Sequence, residues 1–374
     1  MLSKEETNHY QRHLSLPGFG MKGQLRLKNS SALVVGAGGL GCPILQYLAA
    51  VGVGKVGIVD DDIVDASNLQ RQILFNYNDI GKPKVKAAKE KLEAINPNID
   101  IIEFLDRIDS QNAEQLINGF DVIVDGTDNF VSRYLINDAC VILKKTLIYG
   151  AIHGFEGQVS VFNFENGPTY RCLYPTPPKT GALPACSENG VLGVLPGIIG
   201  NFQALETIKV ITGIGEKLSG KILLYDALKQ KTRIVKLKKT KQASEITSLK
   251  NLTLSCTRNQ IKMTENLLKE ISPLAAQDIV EDVDNYIFLD VRENWERAIS
   301  KISPSIHIPL QELLSRSSSK LHEEISDQKN LIVYCKAGIR SLTACKSLHS
   351  HGFKNLYNLS GGVLKWEQEG LPLE

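Results

Sequence analysis

Short apolar runs alternate with amphipathic stretches over residues 31–128. The runs with the length and residue types of strands are SALVVGAG, VGIVDDD, IDIIEFL and FDVIVDGTDN. Helical patterns lie between them, one from Leu40 to Val51 and another through KVKAAKEKLEAI. Strands that alternate with helices in this way predict a doubly wound, Rossmann-like sheet.

Further elements follow, and a second α/β pattern begins later in the chain. TLIYGAI and GQVSVFNFE have strand patterns, and VLPGIIGNFQALETIKVITG predicts a helix capped by Gly213. Residues 238–271 are rich in Lys, Ser and Thr and have no clear apolar period, which is typical of a linker. The pattern then resumes with YIFLDVRE, LIVYCKAG and a helix that ends at Gly352.

The chain of 374 residues is longer than one hydrophobic core usually supports. We therefore predict a Rossmann-like, doubly wound mixed-sheet domain at residues 1–240. A linker at 241–271 and a smaller α/β domain at 272–374 complete the predicted organisation.

Composition and charge narrow the class of protein. A net charge of +2, with Lys and Arg dispersed, gives no basic surface for nucleic acid or anionic lipid. No apolar run approaches the ~20 residues that a membrane helix needs. The seven cysteines have no disulfide spacing, which favours reduced thiols in a cytoplasmic enzyme. We expect four of them to be small buried residues: Cys42, Cys140, Cys256 and Cys345.

A glycine-rich turn follows the first strand of the pattern. GAGGLG, which includes Gly36, Gly38 and Gly39, lies between a strand and a helix, where backbone N–H groups and the helix dipole favour a phosphate. Asp60 ends the next strand, where such folds place a carboxylate on ribose hydroxyls. These two features alone suit NAD and ATP equally.

Charged residues after the next strands favour ATP. The segment after Asp60 contains Ser67, Asn68, Leu69, Gln70 and Arg71; Lys84 comes next, and Asp128 with Asn129 follows a later strand. Nucleotidyl transfer must neutralise charge that develops on the α-phosphate and pyrophosphate, whereas hydride transfer has no such need. Taken singly, Arg71 and Lys84 are ordinary surface cations and Asp60 a turn residue. Their combination predicts a nucleotide-transfer site.

In order and spacing, these motifs resemble those of the MoeB/ThiF/HesA family, relatives of the ubiquitin-activating enzymes, over about the first 240 residues. The resemblance implies that Gly39 and Asp60 contact ATP, and that Asp128 with Asn129 places Mg²⁺. By the same resemblance, the residues that hold phosphates are Asn68, Arg71 and Lys84. Arg12 matches an arginine that enters the partner subunit's site, which implies a homodimer.

The family resemblance also implies the substrate. The C-terminal carboxylate of a small ubiquitin-like sulfur-carrier protein, ending in Gly-Gly, attacks the α-phosphate in line and leaves an acyl-adenylate. No general base is needed, because a carboxylate is already ionised at neutral pH.

A cysteine loop characterises the second domain. Cys335 follows the strand LIVY and opens a helix, and Arg340 lies five positions later. Backbone N–H groups at such a turn surround the sulfur. Tyrosine-phosphatase loops resemble Cys-x5-Arg, whereas four residues separate Cys335 from Arg340, a shorter loop that suits a persulfide. Together with LDVRE at residues 289–293 and Gly361-Gly362 before Trp366, the loop resembles the rhodanese active site, where Arg340 would bind an anionic sulfur donor.

Cys186 is the second cysteine that we expect to take part in sulfur transfer. It lies in LPACSENGVLG and matches the family cysteine that forms a thioester or mixed disulfide with the carrier, although a small buried cysteine is the alternative. By resemblance to fused enzymes, Cys335 takes a sulfane sulfur and attacks the acyl-adenylate. Cys186 then resolves the acyl-disulfide and releases a carrier thiocarboxylate. A cysteine desulfurase or thiosulfate are the candidate sulfur donors.

The chain departs from relatives that hold zinc with two Cys-x-x-Cys pairs. Thr169 stands where the first cysteine would be, beside Cys172, and residues 238–246 contain no cysteine. We therefore predict no zinc site and an ordinary thiol at Cys172.

Several functions fit these motifs. The carrier can serve molybdopterin, thiamine thiazole or tRNA thiolation pathways, and the fused rhodanese domain favours the molybdopterin assignment. An NAD-binding oxidoreductase with a sulfur-sensing domain is the alternative from another enzyme class. A non-catalytic module that presents a carrier is a third, which the intact Arg71 and Cys335 disfavour.

Overall fold

The computed structural model describes residues 1–177, 190–240, 246–249, 269–326 and 329–374. The chain divides into two compact units, Met1–Leu254 and Ser255–Glu374. Within the described residues, no helix is long and apolar enough to span a membrane.

An eight-stranded mixed sheet forms the centre of the first unit, in the order β3-β2-β1-β4-β5-β6-β7-β8. The pairs from β3 through to β5 are parallel, and the remaining pairs are antiparallel. In chain order the strands are Ser31–Val35 (β1), Lys55–Val59 (β2), Asp100–Phe104 (β3), Val122–Asp125 (β4), Thr146–His153 (β5), Glu156–Phe162 (β6), Lys221–Asp226 (β7) and Lys231–Lys236 (β8).

Helices accompany this sheet in the α/β alternation that the sequence predicted. They are Lys4–His9 (α1), Gln11–Leu14 (α2), Gly20–Lys28 (α3), Gly41–Val51 (α4), Lys84–Ile95 (α5), Ala113–Asn118 (α6), Phe130–Ile142 (α7), Tyr170–Leu173 (α8) and Val194–Thr212 (α9). Helix α9 ends at Gly213, whose φ of 80° is the left-handed conformation that glycine adopts most readily.

Strand β1, in the interior of this sheet, is buried on both faces. Successive side chains of β1 belong alternately to two hydrophobic clusters, with Ala32 and Val34 in one and Leu33 and Val35 in the other. Because neighbouring residues of a strand point to opposite faces, a strand covered on both sides must be apolar throughout. This requirement explains the continuous apolar run Ala32–Val35, which ends at the glycine turn.

A smaller sheet of five parallel strands forms the second unit, in the order β11-β10-β12-β13-β9. Its strands are Lys269–Ile271 (β9), Tyr286–Asp290 (β10), Ile306–His307 (β11), Asn330–Tyr334 (β12) and Leu356–Leu359 (β13). Its helices are Pro273–Gln277 (α10), Asn294–Ile299 (α11), Leu310–Ser315 (α12), Ser318–Glu324 (α13), Ile339–Ser350 (α14) and Gly362–Gln368 (α15).

The predicted α/β class with two sheets is confirmed, with one difference near the predicted linker. Strand β9 falls within residues 241–271, yet it pairs with β13 from Lys269 to Ile271. Sequence patterning did not reveal this strand because it has three residues, of which Lys269 and Glu270 are exposed and only Ile271 packs against the core. The second sheet therefore begins ahead of residue 272.

Candidate functional site

The glycine turn between β1 and α4 is closely packed against the neighbouring strand end. Gly36 has a φ of 95°, and a Cβ atom there would lie 2.9 Å from the carbonyl oxygen of Gly126. A Cβ atom on Gly41 would lie 1.9 Å from the Gly36 carbonyl oxygen. Only glycine fits at these positions, so the backbone rather than side chains lines the N-terminus of α4.

Asp60 is bonded to this turn from the end of β2. Its Oδ2 accepts the Ala37 N–H at 2.7 Å, and its Oδ1 accepts the Asp62 N–H at 2.9 Å. Burial raises the pKa of Asp60, while the Lys84 charge and the two N–H groups act in the opposite direction. The carboxylate therefore lies beside the turn, as a ribose-binding residue of this fold would.

Lys84 lies at the first position of α5 and is buried apart from its ionic contact. Its Nζ lies 2.8 Å from Oδ2 of Asp62, a largely exposed carboxylate. An anionic ligand can replace Asp62 as the partner of Lys84, because the released carboxylate is already largely in water and the buried cation stays paired. Lys84 is therefore available to an anionic ligand beside Asp60.

Arg71 reaches the same turn from a position three residues after a short 3₁₀ segment, Ala66–Asn68, that Asp65 caps. Arg71 Nη1 donates to the Ser67 carbonyl at 3.0 Å, and its Cγ would lie 3.5 Å from a Cβ atom on Gly39. The structure thus brings Arg71 to the glycine turn.

The other residues predicted from this segment have different environments. The Asn68 carbonyl accepts the Gln72 N–H at 2.9 Å, which continues the turn. Leu69 packs against the hydrophobic core, whereas Gln70 and Ser67 are exposed. Their predicted nucleotide contacts stay predictions.

The turn between β4 and α7 carries Asp128 and Asn129. Asp128 is exposed, whereas the Asn129 Oδ1 accepts the Ser132 N–H at 2.9 Å and caps α7. The turn packs against the glycine loop through Gly126, whose N–H donates to the Val35 carbonyl at 2.8 Å. Asp128 and the glycine turn thus belong to the same edge of the sheet.

These residues fit an ATP–magnesium complex by their chemistry. A glycine-lined helix N-terminus and two cations suit phosphates. The exposed Asp128 supplies the carboxylate oxygens that Mg²⁺ prefers. Arg12 is exposed on α2, so its predicted reach into a partner subunit stays a prediction.

Three buried polar residues around this cluster escaped the sequence analysis. Gln72 is 3% exposed, faces Gly38, and has no partner for Oε1 within the described residues. Gln203 of α9 donates to the Asp125 carbonyl at 2.7 Å. Arg133 of α7 donates to the Thr127 carbonyl at 3.0 Å. Gln72 directly follows the SNLQR motif, a signal that could have identified it, whereas the other two depend on tertiary packing.

The cysteine loop of the second unit surrounds a buried sulfur. Cys335 is 1% exposed, and its Sγ accepts the Gly338 N–H at 3.2 Å and the Ser341 hydroxyl at 3.4 Å. Donors around sulfur stabilise anionic sulfur, whether as thiolate or persulfide. Of the backbone N–H groups predicted around this sulfur, the described residues show that of Gly338, and the role of Cys335 as sulfur acceptor stays a prediction.

Arg340 is held beside this loop by a residue that the sequence analysis missed. Its Nη1 and Nη2 donate to the two carboxylate oxygens of Glu296 at 2.6 and 2.7 Å. Although burial acts to raise it, the pKa of Glu296 is lowered by this guanidinium and by the Glu293 N–H. The predicted binding of an anionic donor by Arg340 stays a prediction, because this side chain is paired within the protein.

Two glycines press against the same loop. Gly362 has a φ of 57°, and a Cβ atom there would lie 2.3 Å from the Cys335 carbonyl oxygen. The Val363 N–H donates to that carbonyl at 2.9 Å, and the Leu364 N–H donates to the Lys336 carbonyl at 3.0 Å. The Gly361-Gly362 sequence therefore lets the start of α15 hold the cysteine loop.

Hydrogen-bond donors surround Cys172, the cysteine left from the predicted Cys-x-x-Cys position. Its Sγ accepts the N–H groups of Thr169 and Thr240, both at 3.4 Å, and the Thr240 hydroxyl at 3.6 Å. Burial acts to raise its pKa, but these bonds bring the pKa of Cys172 below the usual value. Cys172 thus differs from the ordinary thiol that was predicted, and the surrounding threonines do not supply the thiolates of a zinc site.

Three of the remaining cysteines are buried, and two lie outside the part of the chain that the structure describes. Burial raises the pKa of Cys42 and Cys345 to about 12, and also raises that of Cys140, consistent with small core residues. Cys186 and Cys256 lie outside the described residues.

Comparison with protein families matches both units. The ThiF family matches residues 10–246, and the rhodanese-like domain matches residues 272–369. A crystal structure of E. coli MccB with ATP has a TM-score of 0.56 and 21% identity, covering 66% of this chain and 75% of that one. At this identity the likeness shows the fold alone.

Curated relatives share much of the chain. "Adenylyltransferase and sulfurtransferase MOCS3-1" of Zea mays is 40% identical, covering 97% of this chain and 82% of the relative. "Probable molybdopterin-synthase adenylyltransferase" of Porphyra purpurea is 42% identical, covering 97% and 94% respectively. "Sulfur carrier protein adenylyltransferase" of Thermus thermophilus is 50% identical, covering 62% of this chain and 87% of the relative. The chain therefore belongs to the ThiF family, and it joins a ThiF adenylation domain to a C-terminal rhodanese-like domain.

Proposed function

We propose that this chain uses ATP to adenylate the C-terminal glycine carboxylate of a small ubiquitin-like sulfur carrier, and then converts it to a thiocarboxylate for molybdopterin synthesis. The observation that carries the first step is the grouping of Arg71, Lys84 and Asp60 around the glycine turn. The relatives named adenylyltransferase and sulfurtransferase support both steps.

In the first step the chain's residues orient ATP and stabilise its charge. Asp60 binds the ribose, and the turn at Gly36 receives phosphate oxygens on backbone N–H groups. Arg71 and Lys84 stabilise charge on the α-phosphate and the departing pyrophosphate. Asp128 would hold Mg²⁺, which offsets phosphate charge when bound.

The second step moves sulfur. The terminal sulfur of a Cys335 persulfide attacks the carbonyl of the acyl-adenylate, and AMP leaves. Cys186 then attacks the Cys335 sulfur of the resulting acyl-disulfide, which expels the carrier thiocarboxylate and leaves a disulfide between the two cysteines. A thiol reductant must reopen this disulfide before the next cycle.

The proposal also covers the compartment, the oligomeric state, the sulfur donor and the metal content of the enzyme. It acts in the cytoplasm as a homodimer in which Arg12 enters the partner subunit's site. A cysteine desulfurase supplies the sulfur, and no zinc is bound. The donors around Cys172 support the last point, because three of them come from threonines.

ATP–pyrophosphate exchange with Mg²⁺ tests the first step. We expect exchange that requires a carrier ending in Gly-Gly and is lost in Asp128→Ala. Asp100→Ala is the matched control, because Asp100 is an exposed carboxylate at the start of β3. Exchange with a molybdopterin-type carrier but not a thiamine-type carrier would support the pathway. No exchange with any carrier, together with tight NAD binding, would contradict the proposal.

A further inference from the structure

The turn that carries Asp128 has a buried cation beneath it. We infer that Arg133 is a positioning residue of the adenylation site, which acts by fixing Asp128 for the metal–nucleotide complex. The inference rests on the proposed function, because it assigns a task to a residue that supports the same site.

The position of the Asp128 carboxylate is determined by the backbone of the turn that carries it. Its side chain is exposed and makes no hydrogen bond or ion pair with the described residues. Metal affinity depends on how well the ligand oxygens are held in place. The residues that fix residues 125–129 therefore determine where the Asp128 carboxylate lies.

Asp125 holds the first half of this turn. It is fully buried, and its Oδ1 accepts the Thr127 N–H at 2.9 Å and the Thr127 hydroxyl at 2.7 Å. Both bonds are strongest when the carboxylate is ionised. Burial raises the pKa of Asp125, and the Arg133 charge is the largest influence that opposes this rise.

Arg133 holds the second half directly. It is 5% exposed, and its Nη2 donates to the Thr127 carbonyl at 3.0 Å, one residue before Asp128. Its guanidinium carbon lies 5.7 Å from the ring centre of Phe130 and 5.9 Å from that of Tyr149. The aromatic contacts restrict the guanidinium, so one buried cation stabilises both the Asp125 carboxylate and the Thr127 carbonyl.

These contacts predict a defect that depends on the metal. Loss of a hydrogen bond to a charged group typically changes an equilibrium by about tenfold or more. We expect Arg133→Gln to weaken ATP binding about tenfold when Mg²⁺ is present. ATP binding in EDTA should not change, because Arg133 contacts the Asp128 turn rather than the residues at the glycine turn.

Calorimetric titration of the full chain with ATP, in Mg²⁺ and in EDTA, tests this inference. Arg133→Lys keeps the cation and should retain part of the affinity; because it preserves the charge, it also serves if Arg133→Gln does not fold. In the Asp128→Ala background, Arg133→Gln should cause no further loss, because both act through one carboxylate. Arg171→Gln is the matched control, since it removes a partly buried ion pair with Asp138 and should leave ATP affinity unchanged.

The outcomes separate the inference from the proposed function. Equal weakening by Arg133→Gln in Mg²⁺ and EDTA, or additive loss with Asp128→Ala, would overturn the positioning role. An unaffected Arg133→Gln beside a magnesium-dependent wild type would do the same. A wild type that binds ATP equally well without Mg²⁺ would overturn this inference alone, because the proposed function fails only if no carrier supports ATP–pyrophosphate exchange.

Discussion

Gly362 offers a quantitative test of how the cysteine loop is held. Its φ is 57°, and a Cβ atom there would lie 2.3 Å from the Cys335 carbonyl oxygen and 2.7 Å from that of Lys336. Both neighbours are backbone atoms that already accept hydrogen bonds from α15. Gly362→Ala should therefore force the loop and the start of α15 apart.

The expected cost has two parts. A non-glycine residue in the left-handed region costs ~1–2 kcal/mol. Overpacking against a fixed neighbour costs ~1–3 kcal/mol more. Gly370→Ala is the matched control, because Gly370 has a φ of 70° but nothing within 4 Å of its Cβ position. We expect Gly362→Ala to lower the free energy of unfolding of the second unit by about 1–3 kcal/mol more than the control does.

Tryptophan fluorescence in a urea titration measures this difference. The chain contains two tryptophans, Trp295 and Trp366, and both lie in the second unit. Their signal reports the unfolding of that unit without contribution from the first. Sulfane loading of Cys335, followed by its release to cyanide, provides the functional readout. Equal destabilisation by the two variants, with equal sulfur loading, would refute the packing argument.

Other predictions follow from the remaining contacts. The pKa of Glu296 is lowered in the folded chain. Its pair with Arg340 should therefore stabilise the second unit above pH ~4.5, and this stabilisation should be lost as the pH falls below that value. In urea titrations across pH, the stability of Glu296→Gln should converge with that of the wild type in acid. Metal analysis of the purified chain should detect no stoichiometric zinc, because threonines surround Cys172. Gly36→Ala should abolish ATP binding in calorimetry, because its Cβ would lie 2.9 Å from the Gly126 carbonyl oxygen; retained affinity would contradict the assigned turn.

Elements with a buried face were predictable, and exposed strands were not. Strand β1 was predictable from its apolar run, because both of its faces are covered. Every residue of β8 is exposed, so KTRIVK lacks the alternation that a half-buried strand requires. Its strand conformation comes from pairing with β7 across the whole length of Lys231–Lys236. Such pairing is tertiary, and local patterning does not encode it.

Some residues of the candidate site were predictable from motif order, whereas others depend on tertiary packing. Asp60, Arg71 and Lys84 follow strand ends or begin helices, and parallel strands bring their carboxyl ends to one edge. The motif order therefore implied their proximity. Gln203 reaches Asp125 from 78 residues away in sequence, on a helix whose apolar surroundings gave no sign of this contact.

The Cys335–Arg340 motif did not predict the partner of Arg340 within the protein. The spacing from Cys335 identified the loop, but the partner of Arg340, Glu296, lies 44 residues away in sequence. The pairing depends on α11 and α14 meeting beside the loop, which follows from the adjacency of β10 and β12. Within the described residues, the Gly338 N–H and the Ser341 hydroxyl donate hydrogen bonds to the Cys335 sulfur, and the paired Arg340 guanidinium still interacts with this sulfur through its charge. The spacing of Cys335 and Arg340 therefore identifies the loop, whereas only the tertiary contacts show that Glu296 orients the Arg340 guanidinium beside it.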